Sequence, residues 1–248
     1  MNKLTTLLAA GALCATTANA VTVLFEDFED STVGFTTSIT ESSDGFNDYF
    51  GRVGATGISV NANVEFTNIQ GSGYFAAQDM DAAGTGDPAA PDGLATLTWS
   101  GLNITGLTSL DFSAFWAEDD DGSNQDWDSA DDFVLVEYQI DAGGFQNLFA
   151  IENDGTQFNT APQIDTDFNG IGDGAEITSV FTEYSALIAG TGSSLDLRIT
   201  IDLNSGDEDI AFDNVTISGT AVPEPSTYAA IGGLVALGVV MLRRRFRK

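Results

Sequence analysis

The chain has 248 residues, of which 37 are acidic and 8 are basic, with one cysteine and no histidine. Between residues 21 and 222 the only basic residues are Arg52 and Arg198, and all but one of the acidic residues occur there, giving this span a formal charge of −34. Such a charge repels nucleic acid and anionic membrane surfaces, so we expect neither as a partner of the body. The absence of histidine excludes His-dependent catalytic triads and histidine metal sites.

The first 20 residues are typical of a secretory signal peptide. Lys3 supplies a short basic region, residues 4–15 are apolar, and Ala18-Asn19-Ala20 is a small-residue cleavage site. Cleavage after Ala20 removes Cys14, so the mature protein has no thiol. We therefore predict export without disulfides, and one domain of roughly 200 residues stabilised by burial and by bound metal.

The body, residues 21–220, has the pattern of an all-β domain. β-branched and aromatic residues alternate with polar ones, and Gly, Asn and Asp interrupt the pattern at short intervals. Residues 141–144 predict a hairpin turn and residues 79–93 a long loop, whereas residues 177–189 also fit a helical stripe, although we favour a strand. The other strands are expected near residues 21–28, 60–66, 74–77, 95–100, 107–116, 133–140, 145–151, 195–203 and 210–218. This number of antiparallel strands predicts a two-sheet sandwich of jelly-roll type.

One segment of the body follows the calcium-loop pattern in full. Oxygen-bearing side chains alternate along it, a glycine at the sixth position allows a sharp turn, and a glutamate closes it. Pro162 lies just upstream and flanking helices are not expected, which indicates a calcium loop on a β scaffold rather than an EF-hand domain. The alternative is an Asp/Gly-rich turn that binds no ion. The predicted ligands are Asp165, Asp167, Asn169, Ile171 through its carbonyl, Asp173 and Glu176.

A second acidic stretch, residues 118–132, contains eight acidic side chains. Asp119 and Asp121 have the alternate spacing of calcium ligands, and the alternative is an exposed, solvated loop. Trp127 lies in the same stretch, and we predict it to be an exposed platform for a sugar ring. Trp99 and Trp116 fall in predicted strands and are expected in the core.

The end of the chain combines a Pro-Glu-Pro motif, an apolar run and a basic tail. Pro223 and Pro225 flank Glu224 and keep the backbone extended, so a helix is not expected before Ser226. Residues 228–242 would form roughly 22 Å of helix, against roughly 30 Å for the hydrocarbon core of a bilayer. We predict a transmembrane helix, completed by basic side chains that reach the cytoplasmic face. The alternative is a plain membrane anchor in which the Pro-Glu-Pro motif is only a linker.

This ending resembles the PEP-CTERM sorting signal of Gram-negative bacteria, through Val222-Pro-Glu-Pro-Ser-Thr227 and the closing arginine cluster. The resemblance covers residues 221–248. It implies recognition by an exosortase, a membrane transpeptidase that cuts near the motif and passes the protein to the surface. The chain would then cross the inner membrane, be anchored there transiently, and end at the cell surface or outside the cell.

The body resembles the jelly-roll modules of extracellular proteins from aquatic bacteria, through Leu24-Phe-Glu-Asp-Phe-Glu29 and residues 205–214. In carbohydrate-binding jelly rolls, acids of the first strand and an aspartate of the last strand often share one structural calcium. The resemblance implies Glu26, Glu29 and Asp213 as their counterparts here.

Three functions follow as hypotheses. The favoured one is a non-enzymatic component of the cell surface or exopolysaccharide matrix, with Ca²⁺ as its cofactor. The alternatives are a carbohydrate-binding module and a glycosidase. A glycosidase needs two carboxyl groups roughly 5 to 10 Å apart, and the sequence singles out no such pair, so we predict no catalysis.

Overall fold

Buried and exposed side chains alternate along the extended segments that build the body of the protein. The computed structural model describes residues 19–30, 34–54, 57–61, 64–82, 84–119, 125, 127–128, 132–156, 160–223 and 225–246. Ala20–Thr220 forms one compact unit, and Ala221–Lys248 belongs to a second. Most of the predicted signal peptide, residues 1–18, lies outside the described residues.

Nearly all of the regular structure is strand. The strands are β1 Ala20–Glu26, β2 Thr36–Thr37, β3 Ser42–Ser43, β4 Tyr49–Val53, β5 Tyr74–Gln78, β6 Leu94–Asn103, β7 Leu107–Ala117, β8 Phe133–Ile140, β9 Gln146–Glu152, β10 Gln163–Ile164, β11 Thr182–Ile188, β12 Ser194–Asp202 and β13 Asp209–Ala221. A 3₁₀ turn spans Pro91–Gly93, and the helix α1 spans Pro225–Arg245.

The strands form two antiparallel sheets. The first sheet has the order β11-β7-β13-β5-β4-β3, and β1 also pairs with β13. The second sheet has the order β10-β9-β8-β12-β6-β2. Successive strands often change sheet, as β6, β7 and β8 do. The prediction of an all-β sandwich is thereby confirmed, and this alternation is jelly-roll-like.

Large aromatic side chains fill the core between the sheets. Trp116 of β7 stacks on Phe149 of β9 with ring centroids 5.7 Å apart, which joins the first sheet to the second. Phe212 of β13 lies 5.0 Å from Trp116, and Phe75 of β5 lies 5.2 Å from Phe212. Trp99 and Trp116 are both fully buried, which confirms their prediction as core residues.

The opposite face of the first sheet is buried as well. Successive residues of a strand point to opposite faces, so Tyr49 and Tyr74 lie on the face opposite to Phe50 and Phe75. Tyr49 and Tyr74 belong to a second apolar cluster, in which Phe181 packs 5.6 Å from the ring of Tyr74. We call this surface the outer face.

Residues 58–61 and 64–69 cover the outer face, with isolated bridges at Ile58 and Thr67 but no strand. Ile58, Val60, Phe66 and Ile69 pack against the cluster that contains Tyr74. The predicted strand at residues 60–66 is wrong over its described part, because its alternating apolar side chains are buried by lying across the sheet and not by pairing with it.

Most of the other predicted elements are confirmed. Asp141, with φ of 45°, opens the tight turn that joins β8 to β9, and Tyr138 pairs with Gln146 across it. Residues 182–188 are strand, as we favoured for the ambiguous segment. The prediction missed β4, because this strand is short and contains Gly51.

Candidate functional site

Asp213 is a buried carboxylate on β13 with an unused oxygen. The residue has no solvent exposure, its Oδ1 accepts the Asn214 N–H at 2.6 Å, and its Oδ2 has no hydrogen-bond partner. Burial raises the pKa of Asp213 to about 7, the backbone amides of Asn214 and Gln70 oppose this rise, and the nearby Glu29 and Asp27 carboxylates add to it. A positive ion is the natural partner for such a group.

The other two residues that the resemblance implies as calcium ligands, Glu29 and Glu26, accept hydrogen bonds from backbone N–H groups. Glu29 accepts the N–H groups of Ser72 at 2.5 Å and Gly73 at 2.8 Å, and these bonds lower its pKa. Glu26 accepts the Phe28 N–H at 3.2 Å, and burial raises its pKa. The Glu29 charge acts on Asp213, whereas Glu26 accepts backbone N–H groups of Phe28 and Gly34.

An open cavity of about 620 Å³ adjoins this region. Phe25 forms one wall and is 57% exposed. Asn68 and Asn214 both have positive φ, 58° and 50°, in the left-handed region that asparagine adopts more readily than most residues. The lining consists of Phe25, Asp27, Glu29, Asn68, Ile69, Gln70, Gly71, Ser72 and Asn214.

The predicted calcium loop is closed by its own hydrogen bonds. Asp165 is buried, and its Oδ1 accepts the N–H groups of Asp167 at 3.1 Å and Phe168 at 2.7 Å, while its Oδ2 accepts that of Gly170 at 2.9 Å. Asp173 accepts the N–H and the hydroxyl of Thr166 at 2.9 and 2.7 Å, which lowers its pKa. These carboxylates already hold the turn together without an ion.

The remaining loop positions are exposed and do not complete a cage. Gly170 has φ of 83°, so the sharp turn expected at the sixth position is present. Asp167, Asn169, Ile171 and Glu176 are exposed. Among the acidic residues that the structure describes, those of residues 165–176 do not converge as a group of three within 4.8 Å.

The described acids at the start of the second acidic stretch, Glu118 and Asp119, make hydrogen bonds within the protein. Glu118 is 1% exposed and accepts a hydrogen bond from Gln125 Nε2 at 2.9 Å. Asp119 donates its N–H to Asp209 Oδ1 at 2.9 Å, and its own Oδ1 accepts the Glu65 N–H at 3.0 Å. Asp121, the other predicted ligand, lies outside the described residues.

Trp127 is fully buried, so the prediction of an exposed sugar platform is wrong. Its backbone carbonyl accepts a hydrogen bond from Asn153 Nδ2, which ties the acidic stretch to the segment after β9. The physical reason is that burying the large apolar surface of the Trp127 indole is strongly favourable, and the charge of neighbouring acids does not outweigh it. The ring therefore belongs to the core.

One acidic group was missed by the sequence interpretation. Carboxylate oxygens of Asp44, Asp48 and Asp87 lie within 4.8 Å of one another. Asp79 adjoins them, and its pKa rises to about 7 because of burial, the Asp48 charge and a hydrogen bond to Asp48. No local motif marks this group, since the pairing of β4 with β5 brings its distant segments together.

The C-terminal segment begins where β13 ends, at Ala221. Pro225 is the first residue of α1, one position before Ser226, where the helix was predicted to begin. Proline is tolerated at the first helical position because the N–H that it lacks would have no partner within the helix. The helix continues through Arg243, Arg244 and Arg245, whose charges suit its C-terminal dipole. Glu224 lies outside the described residues.

In the part of the chain that the structure describes, no helix is both long enough and apolar enough to cross a membrane. Residues 221–245 match the family model of the PEP-CTERM protein-sorting motif. The chain carries a PEP-CTERM sorting motif. This motif implies export and processing by an exosortase, and the match leaves the sandwich itself unassigned.

Solved structures similar to the sandwich differ widely in their described roles, and no curated protein matches the chain. The K3 cleaved adhesin domain of Lys-gingipain from Porphyromonas gingivalis is 17% identical, with a TM-score of 0.40 over 79% of this chain and 99% of that domain. A cyclase from Fischerella sp. TAU is 14% identical, with a TM-score of 0.47 over 83% and 100%. The CBM22-1 xylan-binding domain of Paenibacillus barcinonensis Xyn10C is 12% identical, with a TM-score of 0.40 over 84% and 100%. At these values neither an activity nor a ligand is carried over.

Proposed function

We propose that this protein is an exosortase-processed component of the bacterial cell surface or exopolysaccharide matrix, and that its sandwich works by binding and not by catalysis. The observation that carries the proposal is the sorting motif at residues 221–245. The motif follows the last strand directly, since β13 ends at Ala221 and Pro223 is two residues further on. Proline restricts the backbone of Val222 to extended conformations, which suits an enzyme that threads the chain through its site.

The inner membrane is the proposed partner of α1 before processing. Its described apolar side chains are exposed, which leaves them available to lipid. The basic residues that follow favour the cytoplasmic side, so the sandwich would lie on the outer side. These side chains are Leu234, Val235, Leu237, Val239, Val240, Met241 and Leu242.

A non-enzymatic role is supported by the residue types present. The chain has no histidine, and its single cysteine lies in the predicted signal peptide. Imidazole and thiolate chemistry are therefore not open to the mature protein.

Calcium is the proposed cofactor, and Asp213, through its unpartnered oxygen, is a candidate ligand, as are the converging carboxylates of Asp44, Asp48 and Asp87. A hard cation would supply the charge that the unpartnered Oδ2 lacks and would reduce the repulsion from the nearby Asp27 and Glu29. The loop at residues 165–176 fits an ion less well, because the oxygens of Asp165 already accept three backbone N–H groups.

Processing is tested by replacing Pro223 and Pro225 with alanine in the cell that makes the protein. The wild-type surface form should lack residues 229–248 by mass spectrometry, whereas the double variant should stay uncut in the inner membrane. Pro88→Ala, in a loop of the sandwich, is the matched control and should be processed normally. A surface form that keeps Arg243–Arg245 would contradict exosortase processing and leave a plain anchor.

A further inference from the structure

We propose that the open cavity beside Phe25 binds a neutral polysaccharide. The proposal goes beyond sorting and does not depend on it, because every residue concerned lies in the sandwich. It gives the binding role a location different from Trp127, whose ring is buried.

The first argument is the exposed ring. Phe25 lies on β1 opposite Thr216 of β13, and it is 57% exposed at the cavity wall. Stacking of an exposed aromatic ring on the apolar face of a flat ligand removes apolar surface from water and so favours binding. The C–H face of a pyranose ring is such a surface. Ile69 extends the apolar part of the lining.

The second argument is the set of amides around the ring. Asn68, Gln70 and Asn214 line the cavity. The Asn68 and Gln70 amides each donate one N–H within the protein, to the carbonyls of Phe181 and Asn68, and each keeps a second N–H and an oxygen for a ligand. Sugar hydroxyls also donate and accept, so adjacent amides can bind neighbouring hydroxyl groups. The Gln70 amide is held in place by its bond to the Asn68 carbonyl at 2.6 Å, which reduces the entropy cost of binding.

The third argument concerns charge. Asp27 and Glu29 also line the cavity, and they disfavour an acidic polysaccharide. Glu29 already accepts three hydrogen bonds, from Ser72 N–H, Ser72 Oγ and Gly73 N–H. These bonds hold the Glu29 carboxylate at the cavity wall, where its charge repels an anionic ligand.

The test uses the full-length protein in detergent, run through native gels that contain hydroxyethylcellulose, mannan or galactan. Polygalacturonate is the acidic comparison, and each gel is run with calcium and with a chelator. We expect at least one neutral polysaccharide to retard the wild-type protein, and polygalacturonate to have no effect. Retardation by polygalacturonate alone, or by none of the four, would overturn the proposal.

Two variants locate the binding. Phe25→Ala should weaken the retardation about tenfold, and Asn214→Asp, which keeps the side-chain size and a residue type tolerant of positive φ, should weaken it as well. Phe46→Ala is the matched control, because Phe46 is also 57% exposed but does not line the cavity. Equal losses in Phe25→Ala and Phe46→Ala, or no loss in either cavity variant, would overturn the assignment.

Discussion

Glu208 and Asp132 are joined by a side-chain hydrogen bond although both are acids and each is only 2% exposed. Glu208 precedes β13 and Asp132 precedes β8, so the bond joins two chain segments. Two buried carboxylates can share such a bond only when one of them keeps a proton. Burial, and then the charge of Asp132, raises the pKa of Glu208 to about 9.

The first prediction is that stability falls as pH rises. The folded protein keeps the Glu208 proton up to about pH 9, whereas the unfolded chain releases it near the ordinary value of 4.5. The stabilisation is fully present below pH 4.5 and is lost as pH rises through the folded value, at about 1.4 kcal/mol per pH unit for one proton. Melting temperatures between pH 5 and pH 9, without divalent cations, measure this.

Glu208→Gln removes the titrating proton while keeping a donor for Asp132, so the pH dependence should become shallower. Glu65→Gln, at an exposed position, is the control and should leave the slope unchanged. Some slope should persist in Glu208→Gln, because burial also raises the pKa of Glu152 to about 7. A slope identical to wild type would show that Glu208 holds no proton at neutral pH.

The second prediction is that calcium stabilises the protein through Asp213. Free calcium at about 100 times its dissociation constant adds roughly 2.7 kcal/mol to folding, and Asp213→Asn should remove most of this shift. Glu176→Gln should retain it. The melting temperatures should be compared at fixed ionic strength with Mg²⁺ as a control, because salt alone screens the repulsion among the acids.

Two outcomes would place the ion elsewhere. Loss of the calcium shift in Glu176→Gln would restore the loop at residues 165–176 as the site. Loss in Asp87→Asn, with Asp213→Asn unaffected, would place the ion among Asp44, Asp48 and Asp87.

The third prediction concerns the structural role of Asp165. Asp165→Ala leaves the N–H groups of Asp167, Phe168 and Gly170 without their acceptor, and a lost buried hydrogen-bond partner costs about 1–3 kcal/mol. The loss, read from urea unfolding, should be the same with calcium and with a chelator. Asp167→Ala, at an exposed position of the same loop, should change stability little. A loss seen only with calcium present would contradict a purely structural role.

The fourth prediction is that Trp127→Ala is strongly destabilising. Removing a fully buried indole leaves a cavity, which costs about 3–5 kcal/mol. Phe46→Ala, at an exposed ring, should cost far less when both are measured by chemical unfolding. A small effect of Trp127→Ala would mean that the ring is accessible in solution after all.

The sequence predicted what depends on local patterns. Alternation of apolar residues located β6 to β9, β12 and β13, whereas β5 was located by a short apolar run and is buried at every position. The same alternation misplaced residues 60–66, since burial of every second side chain does not reveal whether the backbone pairs with a neighbour or lies across a sheet. The Pro-Glu-Pro motif was recognised because it consists of consecutive residues and does not depend on tertiary contacts.

The candidate sites were harder to predict because they depend on contacts between distant residues. Asp44 and Asp87 meet only through the pairing of β4 with β5, and Phe25 meets Asn214 only through the pairing of β1 with β13. Trp127 was misjudged because its acidic neighbours indicated a solvated loop, whereas Glu118 and Asp132 are themselves buried. Tertiary packing determines where these residues lie, and the local pattern of a single sequence does not predict it.

The pairing of β1 with β13 sets Val21 opposite Gly219, so the first strand of the sandwich pairs with the last. A chain exported from its N-terminus would not complete the first sheet until nearly all of the sandwich had emerged, and such long-range pairing is slow. Pro223 follows the end of β13 by two residues. Under the proposed processing, completion of the fold and arrival of the motif at the membrane would fall at the same stage of translocation, which would couple folding of the sandwich to its release.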